Sequence, residues 1–380
     1  MGKIISNAWV EAGGARVARI AAVDDAPEGV EVERLDGAVD AELSPTRAHV
    51  VSVVAGHGSL FAYDQTLRLD AGTHVLVPLG GGAIVRADPG ASLSLVRVAS
   101  PRARAEHLVV RHERFVSACA TAAQPLRWIL TPQYLSRRVF LHHDAALLSA
   151  RGRPLSWFHT TMFDVAGLPP NDDGEPVFKM GYESRTELNV CYDVRGEARV
   201  RYAAHPYVDG PAQVWGPWAP LDGDATYHLD EADDGPEVEH VVDDEGRART
   251  LRNRHEVYAG PGGHVTLLCM FDPAPVGIEQ HVPGAYSDYE PLERVSARPG
   301  FAEHQAQVRR YDAMVETLSL ARARGALAGE VGGAAWSLYL EGRAAQAALE
   351  AALLARLAGE GRGRGAVVAP WQSARLHAEG

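Results

Sequence analysis

The residues best suited to chemistry lie in two stretches of the second half of the chain. Residues 254–272, RHEVYAGPGGHVTLLCMFD, set His255 and His264 on either side of a Pro/Gly turn. Residues 181–200, GYESRTELNVCYDVRGEARV, carry Tyr182, Glu183, Arg185, Glu187 and Asn189. Strand alternation puts Glu187, Asn189 and Cys191 on one face. Together with Tyr227, His240 and His255, these groups could line a polar cavity for a small anionic or amide-bearing ligand. A carboxylate buried in such a cavity has its pKa raised by desolvation and becomes a general base near neutral pH. Glu187 is the candidate, with Tyr182 or His255 as its acid–base partner. Arg185 would hold a substrate carboxylate in a bidentate pair, and Asn189, Tyr227 and His240 would complete the binding surface. The same residues also read as a solvated strand edge on which Glu183, Arg185 and Glu187 pair with one another.

These groups need strands to position them, and the sequence is rich in strand signals. An upstream echo of the histidine stretch, THVLVPLGGGAIV at residues 73–85, repeats the order of apolar run, Gly/Pro turn and apolar run, but keeps only His74. Two such units suggest a duplicated β-barrel. In the first half, short apolar runs at 17–23, 30–35, 49–54, 59–62, 74–78 and 93–98 are separated by Gly, Pro and Asp, the spacing of a sandwich or barrel. The second half has similar runs at 138–142, 156–165, 186–193, 198–203, 238–242, 256–259 and 264–271. The acidic, aromatic insertion 205–237, with Trp215, Trp218 and Tyr227, reads as a lid over a pocket mouth or as a surface arm packed on the neighbouring half. Val308, Tyr311, Val315 and Leu318 recur at helical spacing over 301–324, and a second helical run covers 334–357. These predict a helical hairpin that packs on the barrels or on another subunit.

Composition excludes several classes. A formal charge of −12 argues against nucleic acid, since phosphate binding needs clustered Lys and Arg. No apolar run is long enough for a membrane-spanning helix, and the start, MGKIISNAWVEAGG, lacks the apolar core of a secretory signal. Cys119, Cys191 and Cys269 are odd in number and widely spaced, which fits neither a disulfide framework nor a cysteine-rich zinc site. A cytoplasmic protein acting on a small-molecule substrate is expected, without nucleic-acid or membrane partners. The glycines of residues 80–83 lack the Lys-Ser/Thr pair of a phosphate loop, and neither GxSxG nor HExxH occurs.

The stretches AGTHVLVPLGGG and NRHEVYAGPGGH resemble the second motif of the cupin superfamily, and the whole β-rich region resembles a bicupin. In layout it is similar to ring-opening dioxygenases of the gentisate and homogentisate types, and LLCMFDPAPVGIEQ is similar to the last barrel strand of the latter. The resemblance implies a mainly β fold of two cupin-like barrels (double-stranded β-helices) with a C-terminal α-helical hairpin. The units would be a structural N-terminal barrel over 1–110, a connector over 111–133, an active barrel over 134–296, the hairpin over 297–360 and a flexible tail over 361–380. It also implies a divalent metal, Fe(II) or else Mn, Ni or Zn, serving an oxygenase or isomerase that acts on a small polar or aromatic molecule. His159, Glu187 and His264 are the implied ligands, in the two-histidine, one-carboxylate arrangement. The family's HxH pair is absent from residues 181–200. Two alternatives therefore stand: a metal-free lyase, isomerase or cyclase using Glu187 with Tyr182 or His255, and a binding module without catalysis. In the first half only His49 could serve as a ligand on the matching strand. His142 and His143, being adjacent, face opposite ways. Edge strands and the hairpin make a homodimer the expected assembly.

Overall fold

The computed structural model describes residues 2–6, 8–20, 29–113, 115, 126–130, 134–152, 154–164, 178–182, 186–202, 216–222, 225–229, 240–242, 248–250, 252–259, 264–272, 277–282, 286–291, 301–326, 337, 340 and 367–368. The chain is mainly β. The first part contributes β1 (Gly2–Ser6), β2 (Ala8–Ala12), β3 (Ala15–Arg19), β4 (Glu31–Gly37), β5 (Asp40–Leu43), β6 (Ala48–Ala62), β7 (Gln65–Asp70), β8 (Thr73–Val77), β9 (Ala83–Ala87), β10 (Leu93–Ser100), β11 (Arg102–Ala103) and β12 (Val109–His112). Their pairing is antiparallel, in the order β12-β8-β6-β10-β4-β3-β2, with β5, β7 and β9 joined through the far end of β6.

β6 organises this half. Its first part pairs with β8 and β10, and its second part, from His57 to Ala62, pairs with β7 and β9. Its ladder to β10 skips Val54, between the pairs Ser94–Ala55 and Leu95–Val53, and two residues further on the strand bends at Gly56, whose φ is +83°. The predicted runs 49–54 and 59–62 are therefore one bent strand. The glycines of AGHGS mark a bend inside a ladder, not the break between two strands that the separated runs predict. The bend folds the two layers over a shared core. Val51, Val53, Val75 and Leu95 from one layer meet Leu60, Leu67, Leu69 and Val85 from the other, and all are buried. Each such aliphatic side chain contributes about 2 kcal/mol on leaving water.

The β6–β7 hairpin closes with a two-residue turn, Tyr63 and Asp64, both at positive φ (50° and 58°). That is the geometry in which Asn-Gly or Asp-Gly is preferred, because residues with a Cβ are strained there. Asp64→Gly is expected to stabilise the protein by about 0.5–1 kcal/mol. Urea unfolding would measure this, and a lowered midpoint would refute the strain argument.

The second part contributes β13 (Leu126–Leu130), β14 (Tyr134–Leu148), β15 (Pro154–Asp164), β16 (Phe178–Tyr182), β17 (Thr186–Arg195), β18 (Ala198–Tyr202), β19 (Ala219–Pro220), β20 (Ala225–Leu229), β21 (His240–Val242), β22 (Ala248–Thr250), β23 (Arg252–Ala259), β24 (His264–Asp272), β25 (Gly277–Val282) and β26 (Tyr286–Pro291). After the helix α1 (Phe301–Ala323) comes β27 (Val367–Val368). A nine-stranded sheet has the order β1-β20-β17-β24-β15-β14-β13-β27, with β11 on β14; a second sheet runs β16-β23-β18-β19. Neither strand–turn–strand unit noted in the sequence is a hairpin: β8 and β9 pair with different parts of β6, and β23 and β24 belong to different sheets. β8 pairs with β6 and β12, and β9 with β5 and β6; β23 pairs with β16 and β18, and β24 with β15 and β17.

Three placements depart from the linear reading. Gly2–Ser6 pairs with β20 of the second part. Ala225–Leu229, within the expected lid, is a strand held between β1 and β17. Its TYHL run is β-prone, but flanking Asp and Gly disguised it as loop. Val367–Val368, in the expected flexible tail, pairs with Trp128 and Ile129.

α1 matches the first predicted helix; most of the second predicted helical run lies outside the described residues. Met314, Val315, Leu318 and Ala323 are buried. They turn the helix onto the first half, where Ala323 and Leu320 join the inter-layer core. Among the described residues no helix is long and apolar enough to cross a membrane.

Candidate functional site

Strand register fixes where the expected site residues stand. On β17, Glu187 pairs with Phe271 of β24 and Leu229 of β20, and Asn189 pairs with Cys269 and Tyr227. Directly paired residues share a face of an antiparallel sheet. Glu187, Asn189, Tyr227 and Cys269 therefore belong to one face. Asn189 is fully buried, and a buried amide requires partners, so this face is a closed environment at Asn189. Cys191, in the same alternate set, is also fully buried. Burial, reinforced by the charge of Asp222 and only partly offset by Arg34, pushes its thiol pKa up. It is an inert core thiol, not a nucleophile.

The other two implied metal ligands stand elsewhere. His159 of β15 pairs with Leu268, and His264 pairs with Phe163 and Arg195. Along β24, positions 264, 266 and 268 alternate with 267, 269 and 271. Register thus puts His159 and His264 in one set and Glu187 in the opposite one. The two histidines are themselves offset by four positions along the sheet, about 13 Å. The implied ligand set of His159, Glu187 and His264 thus draws on both alternate sets of positions along β24.

Tyr182 pairs with Arg252, His255 with Met180 and Tyr202, and His240 with Thr250. All three belong to sheets other than that of Glu187, and the pairing does not bring them to its face. Glu183 and Arg185 lie outside the described residues. His142 of β14 pairs with Trp157 of β15.

The first half holds a polar cluster that the sequence showed only as His74. This residue of β8 is buried, with Nδ1 2.9 Å from Ser52 Oγ and Nε2 3.0 Å from Glu113 Oε1. A carboxylate accepts, so Nε2 donates to Glu113; in the neutral ring the Ser52 hydroxyl then donates to Nδ1. The serine–histidine–carboxylate order is that of a nucleophilic triad. Ser52, however, is 0% exposed, so no substrate reaches Oγ, and the chain of bonds acts as a buried tie.

Beside it, Thr73 Oγ1 donates to Asp70 Oδ1 at 2.9 Å, Arg322 of α1 pairs with Asp70, and His112 Nε2 lies 3.7 Å from Asp70 Oδ1. Burial lowers the pKa of His112 to about 4 despite the charge of Asp70, so the ring is neutral at pH 7. Asp70 resists its own burial cost through the Arg322 and Thr73 hydrogen bonds, and its pKa is lowered. No signal near residue 74 could have revealed the partners from α1, which are more than 200 residues away. His49, the other first-half candidate, is buried and donates from Nε2 to Ser44 O at 3.0 Å. Burial lowers its pKa.

The first half also meets the second through side chains. Arg34 Nη1 donates to Cys191 O at 3.5 Å, and Ser100 Oγ donates to Leu148 O beside the β11–β14 pair.

No family model matches the chain, and no curated protein matches it. Solved structures of the cupin fold overlap it weakly. An IolB-like protein from Salmonella typhimurium is 12% identical, over 76% of this chain and 96% of its own, with a TM-score of 0.44. The Escherichia coli protein Ylba is 9% identical over 73% and 93%, with a TM-score of 0.43. The vicilin of Corylus avellana (hazelnut) is 10% identical over 70% and 84%, with a TM-score of 0.42. At these values the likeness bears on no residue and no activity.

Proposed function

We propose that the chain is a cupin-type protein whose second half takes a small polar molecule on the β17–β20 face and works on it by metal-free proton transfer. The observation that carries this reading is the register that aligns Glu187, Asn189 and Tyr227 on one face while His159 and His264 fall on the other. Glu187 is the base: its carboxylate accepts a proton from the substrate and returns it at a neighbouring atom, which is the balance of an isomerase or lyase. Tyr227 donates a hydrogen bond, or a proton, to the oxygen on which charge develops. Arg185, two residues before Glu187 in the sequence, clamps an anionic end, and the buried Asn189 lies beneath the binding surface rather than on it.

Glu187→Gln keeps the shape and removes the base. With a panel of small hydroxy- and keto-acids, the variant is expected to retain ligand-induced thermal stabilisation while losing turnover by roughly 10²–10⁴-fold. Full turnover by the variant would eliminate the role of Glu187. Ligand returned unchanged by the wild type would instead identify a binding module.

A further inference from the structure

We propose that α1 is a strap over the β7–β8–β12 end of the first half that acid releases through His112, before the barrel itself unfolds. The seat of the strap is specific. Ser319 of α1 accepts a hydrogen bond from the backbone N–H of His112 at 2.8 Å, satisfying the last residue of the edge strand β12. Arg111 donates to Glu316 at 2.9 Å, Arg322 pairs with Asp70, and Arg324 donates to Gln65 at 2.7 Å. Met314, Val315 and Leu318 are buried beneath these ties. The helix thus covers an edge that would otherwise present unpaired backbone groups.

His112 lies inside this seat, 7% exposed and tilted against Phe115 at 5.8 Å between ring centroids. The groups around it are Asp70 at the end of β7, His74 on β8, Glu113 just beyond β12, Arg111 on its own strand, and Arg322 and Glu316 from α1. With the ring neutral, Asp70 answers one cation, Arg322, beside the hydroxyl of Thr73. A proton on His112 would place a second cation beside the Arg322 guanidinium in a buried site, and the two would compete for one carboxylate. Moving α1 away gives the imidazolium water and separates the cations.

The sign follows from the His112 pKa, which is lowered to about 4 in the folded chain, mainly by burial, from 6.5 in a solvated one. Between those values the released form binds the proton and the seated form does not. Seating is therefore complete above pH 6.5 and weakens as pH falls towards 4. Between pH 7.5 and pH 5 the linkage predicts an increase of about 30-fold in the released fraction. His49 titrates in the same direction, but its partner is Ser44, not α1.

Hydrogen exchange by mass spectrometry on the full chain, corrected for the chemical exchange rate at each pH, tests this. Peptides from residues 301–323 should show about 30-fold more opening at pH 5 than at pH 7.5, while strand peptides from 93–100 stay protected. His112→Gln should flatten the response. Should that variant fail to fold, Arg322→Gln serves instead. It should open α1 at pH 7.5 and shrink the acid response, because the competing cation is gone. Opening of α1 that does not depend on pH, acid opening unchanged in the variants, or simultaneous opening of 93–100 would each overturn the proposal.

Discussion

Replacing Gly56 with alanine is expected to destabilise the protein by about 4 kcal/mol, enough to unfold much of it at 37 °C. Two effects add at this position. The backbone φ is +83°, which strains a residue with a Cβ. An added Cβ would also lie 1.9 Å from the carbonyl oxygen of Ser92. That obstacle is backbone just before β10 and cannot rotate aside, so β6 and the start of β10 must separate where β6 turns from one layer into the other. Gly80 is the control. It also has positive φ (81°), but no atom lies within 4 Å of an added Cβ. Gly80→Ala should therefore cost only the conformational term, about 1 kcal/mol. Equal losses in urea unfolding would mean that the close approach at Gly56 is not what sets its cost.

Leu67→Ala is expected to cost about 3–4 kcal/mol. Leu67 is 0% exposed on β7 and sits in the inter-layer core with Leu60, Leu69 and Val85. Truncation removes buried methyl groups and leaves a cavity between two sheets whose spacing is fixed by the continuous β6. Collapse around the gap is limited, which favours the upper part of the usual range. Leu79, 42% exposed on the turn after β8, should lose less than about 0.5 kcal/mol on the same change. A loss below 1 kcal/mol for Leu67→Ala would show that the two layers are not packed on one another through this residue.

Much of the fold was legible because period-two patterning and glycine punctuation are local signals. The strands at 30–35, 74–78 and 93–98 and the helix from 301 were all visible in this way. The bend at Gly56 was misread because a glycine pair looks the same in a turn and in a kinked strand; only the partner strands decide. Ala225–Leu229 was hidden by its acidic neighbours, and its place between β1 and β17 depends on residues at the far end of the chain. The shared face of Glu187 and Asn189 followed from alternation alone. Whether His159 and His264 join that face depends on register between strands about 80 to 100 residues apart, which one strand's pattern does not encode. The His74 cluster was invisible for the same reason. Its partners Asp70 and Thr73 are near in sequence, but Glu316, Ser319 and Arg322 arrive with α1.

The central claim is that the β17–β20 face performs its chemistry, or its binding, without a metal held by Glu187. Elemental analysis tests it most directly. The full chain would be purified from cells grown with iron, manganese, nickel, cobalt and zinc, beside the Glu187→Gln variant. The account predicts well under one divalent ion per chain, with the same residual content in both proteins. About one ion per chain in the wild type, lost in Glu187→Gln, would contradict it.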